Sequence, residues 1–114
     1  MTATLAPRGD AQVFDLMQRR LERSLLERVR YRYVKPHVSR EGISFRIQSP
    51  CCSRRVDPTG GMIDIALLVP HEGDNWCLCA RDHANSTWVA LHQNEPLNTV
   101  LDLLCVDSDR QFWP

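Results

Sequence analysis

The chain has 114 residues, 43% of them hydrophobic and 25% charged, which is the composition of one ordinary globular domain and excludes a disordered or fibrous chain. No apolar run is longer than Ile65 to Val69, far short of the roughly 20 residues that cross a bilayer, and the start MTATLAPRGD has neither the basic nor the apolar stretch of an export signal. The net charge of zero hides a split: residues 1–56 hold twelve basic and five acidic side chains, net +7, and residues 57–114 hold two and nine, net −7.

A cytoplasmic protein without a membrane partner is expected. Thirteen of the 14 basic residues are arginine, the side chain whose planar fork matches phosphate and carboxylate. Such a split either points to a polyanionic partner or is cancelled inside the fold, where basic and acidic surfaces lie side by side.

In chain order, residues 1–9 read as a flexible start and 10–114 as a single domain. Asp10 can cap a helix from about Ala11 to Arg28, in which Phe14, Met17, Leu21 and Leu25, supported by Val13 and Leu16, form one apolar stripe. Asp15, Arg19, Arg23 and Glu27 follow one another at i, i+4 on the opposite, solvated side. VRYRYVKPHV then switches to a period of two, with Val29, Tyr31 and Tyr33 on one side of a strand, Arg28, Arg30 and Arg32 on the other, and Pro36 at its end or on a sheet edge. Ser39 to Gly42 supplies a turn, and Ile43, Phe45 and Ile47 alternate with polar residues as a half-buried strand. GMIDIALLV is apolar on both faces except at Asp64, as a central strand is, and WCLCARD and TWVALH follow across the turns HEGDN and HANS. Asn94 can cap a second helix whose Leu97, Val100, Leu101 and Leu104 make a stripe that must be buried. The sum is an α+β domain: an antiparallel meander sheet of about five strands flanked by an N-terminal and a C-terminal helix, both packed on one face. Phe112 and Trp113 follow the second helix too closely to reach far from the domain, so both rings are expected in the core beside Trp76 and Trp88.

WCLCARDHANSTW, the apolar helix after it, the Asp-rich turn and the closing FWP together resemble a bacterial family known as domain of unknown function 3024. RVRYRYV, a glycine turn and an amphipathic strand are similar to its first half, so the likeness spans the chain beyond Val13. The resemblance implies the fold and a fixed Phe-Trp close, and it implies no activity. Cys51-Cys52, Cys77 and Cys79 stand where the family pattern has other residues.

Five cysteines in a reducing compartment are free thiols or metal ligands rather than disulfides. A zinc site needs four ligands. One of Cys51 and Cys52 with Cys77, Cys79 and either His71 or His83 would supply them, although adjacent cysteines do not have the two-to-four spacing of a zinc turn. The bland alternative is small thiols filling the sheet, and no cofactor is expected. His37, His71, His83 and His92 fall at expected turns or strand ends, and none is singled out as the base of a cysteine nucleophile. Asp64 in an apolar strand suggests a metal-dependent nuclease, but the next strand would then carry Glu-x-Lys and instead reads Cys79-Ala80-Arg81. Asp64 is therefore expected to bond Arg46, Arg54 or a backbone amide. SPCCSRRVDPTGG is strong turn chemistry that would present Arg54 and Arg55 as a basic knuckle.

No complete catalytic set is present, so the first reading is a non-enzymatic protein-interaction module. The alternative is a nucleic-acid module in which Arg28, Arg30, Arg32, Lys35, Arg54 and Arg55 hold phosphates while Tyr31 and Tyr33 stack on bases. A metal-binding or hydrolytic protein comes third, and an exposed sheet edge near Pro36 could pair with a second copy.

Overall fold

The computed structural model describes residues 15–27, 35–50 and 61–113. Helix α1 runs through residues 15–26 and is followed by strands β1 (His37–Glu41), β2 (Ser44–Pro50), β3 (Met62–Pro70), β4 (Asn75–Asp82) and β5 (Thr87–Pro96), then helix α2 (Leu97–Val106). The five strands pair antiparallel in sequence order, the expected meander, with β1 and β5 at the edges. Among the described residues no helix is long and apolar enough to cross a membrane.

Each strand sends alternate side chains to one face, and on that face they meet both helices. Val38, Phe45, Ile47, Ile65, Ala66, Leu68, Trp76, Leu78 and Ala80 join Leu21 and Leu25 of α1 and Leu97, Val100, Leu101 and Leu104 of α2 in one buried cluster. Phe45 and Trp76 tilt against each other with ring centroids 6.0 Å apart. Arg19, Arg23 and Glu27 are exposed, as their helical spacing implies, but so is Leu16, at 65%. The apolar stripe of α1 is thus narrower than expected and rests on Met17, Leu21 and Leu25; Val13 and Phe14 lie outside the described residues.

Two elements differ from expectation, and one lies outside the described residues. The strand expected around Val29 to Tyr33 lies outside the described residues, and β1 begins at His37, one residue past Pro36. It occupies most of the expected turn, because Glu41 pairs with Ser44 across a two-residue loop. Gly42 takes a positive φ of 64° as the first residue of that loop, a conformation that favours glycine. Ile43, expected in the core, is the second loop residue and is 62% exposed. At the other end of the sheet, β5 continues through His92 to Pro96, which pairs with Asn75. Pro96, not Asn94, is the N-cap of α2, and no side chain caps it. Asn94 instead accepts a hydrogen bond from Asn75 Nδ2 at 3.0 Å.

The C-terminal tail is held by one carboxylate. Asp107 ends α2 in the left-handed conformation, φ 44°, and its N–H donates to Leu103 O. Its side chain, in a residue only 4% exposed, accepts from Gln111 N (2.7 Å), Phe112 N (3.1 Å) and Trp113 N (2.8 Å). Trp113 Nε1 donates to Leu104 O at 2.9 Å. Phe112 and Trp113 are buried in the main cluster with Trp76, as expected; Trp88 is not there, because it points to the other face of the sheet. Asp107→Ala strands three backbone donors, at a cost of about 2–4 kcal/mol. We expect its urea midpoint to fall clearly, and that of a chain lacking residues 112–114, which loses both rings as well, to fall further. A variant melting with wild type would show that the tail is not part of the core.

Candidate functional site

The second face of the sheet, against which no described helix packs, carries Arg46 and Gln48 from β2, Asp64, Leu67 and Val69 from β3, Cys77, Cys79 and Arg81 from β4, and Trp88 and Ala90 from β5. A bulge between Ile47 and Gln48 sets its polar half. The register slips there, so Gln48 faces Asp64 while Ile47 still faces Ala66 on the core side. Asp64 therefore leaves the apolar central strand on the same side as Arg46.

Arg46 grips Asp64 with two hydrogen bonds, Nε to Oδ1 at 2.7 Å and Nη2 to Oδ2 at 2.9 Å. Gln48 Nε2 donates to Oδ1 at 3.1 Å, and Arg81 Nε approaches Oδ2 at 3.4 Å. The Asp64 side chain is only 9% exposed, and the Arg46 hydrogen bonds outweigh its burial and hold its carboxyl below the usual carboxylate range. The hydrogen bonds from Arg46 to Asp64 raise the Arg46 guanidinium in turn, with Glu41, 3.6 Å away, adding to it. Of the partners expected for Asp64, Arg46 is thus the one seen, and Arg54 lies outside the described residues.

Arg81 is fixed on two sides. Its guanidinium lies over the Trp88 ring, 5.0 Å from the centroid, while Nε faces Asp64. Among the described residues its two terminal nitrogens have no hydrogen-bond partner. Arg81 lines a shallow hollow of about 330 Å³ together with Arg46, Gln48, Asp64, His83 and Ser86. Burial, with help from Arg81, pushes His83 below the ordinary imidazole value against the pull of Asp64 and Asp82, so its ring is neutral at pH 7. Asp82 is held low by two hydrogen bonds from Asn85, which shape the turn into β5. Another hollow, of about 540 Å³, lies between the helices beside Arg20, Ser24, Asn98 and Cys105, where Arg20 already donates to Asn98 Oδ1 and Cys105 to Ser24 O.

Cys77 and Cys79 share this face with their sulfurs 3.9 Å apart. Burial, with the neighbouring Cys77 second, pushes the Cys79 thiol up to about 12, which makes it a poor nucleophile at neutral pH. Of the expected metal set, then, the structure brings two members together. His71 sits in the β3–β4 turn and His83 in the β4–β5 turn, at opposite ends of the sheet. Among the described residues no three histidine, cysteine or acidic side chains form a group that could hold a metal ion. Cys51 and Cys52 lie outside the described residues, as do Arg28, Arg30, Tyr31, Arg32, Tyr33, Arg54 and Arg55 of the expected nucleic-acid set; Lys35 is exposed just ahead of β1.

Sequence reasoning passed over Arg81 and Trp88. A signal for them exists: they are equidistant from the four-residue turn HANS, which makes them cross-strand partners in any hairpin built on it.

A family model described as domain of unknown function (DUF3024) matches residues 10–114. The chain belongs to this family. No curated protein and no solved structure matches it.

The depressed carboxyl of Asp64 makes stability depend on acid. Its contribution is complete above the unfolded value near pH 4 and is lost as the pH falls through the lower folded value. Wild-type urea midpoints should therefore drop more steeply than those of Asp64→Asn as the pH is taken from about 5 to about 2. Parallel curves would show that the Arg46–Asp64 pair is not coupled to folding.

Proposed function

We propose that this domain is a non-enzymatic protein-interaction module that receives an acidic segment of a partner protein on the face of its sheet against which no described helix packs. The observation that carries this reading is Arg81, oriented by Trp88 and Asp64, with both terminal nitrogens unpartnered among the described residues. Two parallel N–H donors are what a carboxylate accepts. An arginine already held in place loses little further freedom on binding, so more of the contact energy appears as affinity. Trp88 lies across from it and half-buried Leu67 and Val69 further along the same face, with Arg46 already neutralised by Asp64. Arginine and tryptophan are among the residue types that dominate binding energy at protein interfaces, and here they border an apolar strip.

Selection from a random peptide display library tests the proposal without knowledge of the partner. The wild-type domain should enrich peptides carrying Asp or Glu within an apolar sequence, and Arg81→Gln should weaken binding of the best of them about tenfold. Arg46 keeps Asp64 paired in that variant, so its melting temperature should stay close to wild type. Enrichment without acidic residues, or a peptide indifferent to both Arg81→Gln and Trp88→Ala, would sink the reading. Tight binding of single-stranded RNA that weakens steeply with salt would replace it with the nucleic-acid alternative.

A further inference from the structure

Cys77 and Cys79 are a second chemical feature of the open face, and carboxylate docking does not use it. They are i and i+2 on β4, so both side chains leave the same side of the strand. Their sulfurs stand 3.9 Å apart and each thiol has the other as its hydrogen-bond partner. With metal–sulfur bonds of about 2.3 Å, a two-coordinate ion spans sulfurs up to about 4.6 Å apart, so side-chain rotation, without backbone movement, opens the pair to hold one ion.

The neighbours decide which ion. Val69 lies opposite Cys77, and Leu67 and Ala90 lie opposite Cys79, one on each side. Among the described residues no imidazole or carboxylate completes the pair into a three-ligand group. A tetrahedral zinc site needs four ligands and calcium or magnesium needs six or more oxygens, so both are short of donors here. A soft, monovalent ion is satisfied by thiolates alone and tolerates apolar walls. We propose that Cys77 and Cys79 form a dithiolate site for one Cu(I) ion.

On binding, two Cu–S bonds form and both thiol protons pass to solvent; neither copper nor sulfur changes oxidation state. The bound unit, one monovalent cation with two thiolates, has a single negative charge. Arg81, two residues further along the same face, provides the compensating positive charge.

The test is an anaerobic titration of the full chain with Cu(I) against a chromophoric chelator. A Cys51→Ser, Cys52→Ser, Cys105→Ser variant should still take one Cu(I) per chain. Adding Cys77→Ser or Cys79→Ser should weaken binding at least a hundredfold. X-ray absorption of the copper-loaded wild-type protein gives a second measurement that needs no variant, and should count two sulfur neighbours and no nitrogen. Loss of binding in the triple variant would overturn the proposal, as would binding indifferent to Cys77→Ser or a nitrogen in the copper shell. Zinc retained in one-to-one ratio through gel filtration and lost with Cys77→Ser would also overturn it, because it would mean that further ligands complete a four-coordinate site.

Discussion

The carboxylate of Asp107 is the constraint on which the helical side of the fold depends. It is nearly buried, and a buried carboxylate is tolerated only when its oxygens are satisfied. Here three consecutive backbone donors converge on it, from Gln111, Phe112 and Trp113. Those bonds turn the chain back immediately after α2 and deliver two aromatic rings to the core. At about 25 cal/mol per Å² and about 150–250 Å² a ring, each is worth about 4–6 kcal/mol of apolar burial before entropy is counted. In a domain whose net stability is about 5–15 kcal/mol that is a large share. Helix α2 has no side-chain cap at its start and no acidic residue in its first turn, so its placement rests on this packing and on the closure at its C-terminal end.

With both helices and the tail committed to one face, the other face has a different task. Strand alternation alone would give it a mixed surface, but the bulge at Ile47/Gln48 concentrates charge at one end. It brings Gln48 and Asp64 into line with Arg46 and Arg81 while leaving Ile47 and Ala66 in the core. The middle strip of that face, Leu67, Val69, Cys77, Cys79 and Ala90, carries no ionisable group other than the thiols. A polar end and an apolar, sulfur-bearing middle are therefore consequences of one extra residue in the ladder.

This division explains what could be read in the sequence. The meander, the packing of both helices on one side and the burial of Phe112 and Trp113 follow from periodicity and chain length, which act locally. The Arg46–Asp64 pair was also legible, since an aspartate in an apolar strand must find a donor and few were in reach. Asn94 misled because its chemistry suits a cap, yet β5 keeps its pairing to Pro96 and the side chain goes to Asn75 instead. Ile43 misled because alternation extended one residue into a loop that glycine had already begun. Trp88 looked like a core tryptophan, and only the hairpin register puts it across from Arg81 on the outer side. Each of these depends on pairing between strands, which composition does not encode.

The charge split of the sequence also has a partial resolution in the fold. Arg46 comes from the basic half and Asp64 from the acidic half, and they neutralise each other at short range. Such a pair adds little to recognition, because its desolvation offsets most of its attraction for a third charge. Arg81 differs because it lies in the acidic half, where Asp64 is already occupied by a better-placed arginine and can offer it only a 3.4 Å contact. Glu41, 3.6 Å from Arg46, brings the network to two arginines and two carboxylates, but both carboxylates engage Arg46, and the guanidinium that lies over Trp88 keeps its terminal nitrogens without a hydrogen-bond partner among the described residues. Charge balance over a network does not by itself satisfy each donor: here one oriented donor pair is left over beside an apolar strip, and orientation together with that open pair of donors is what suits a small flat face to an anionic group.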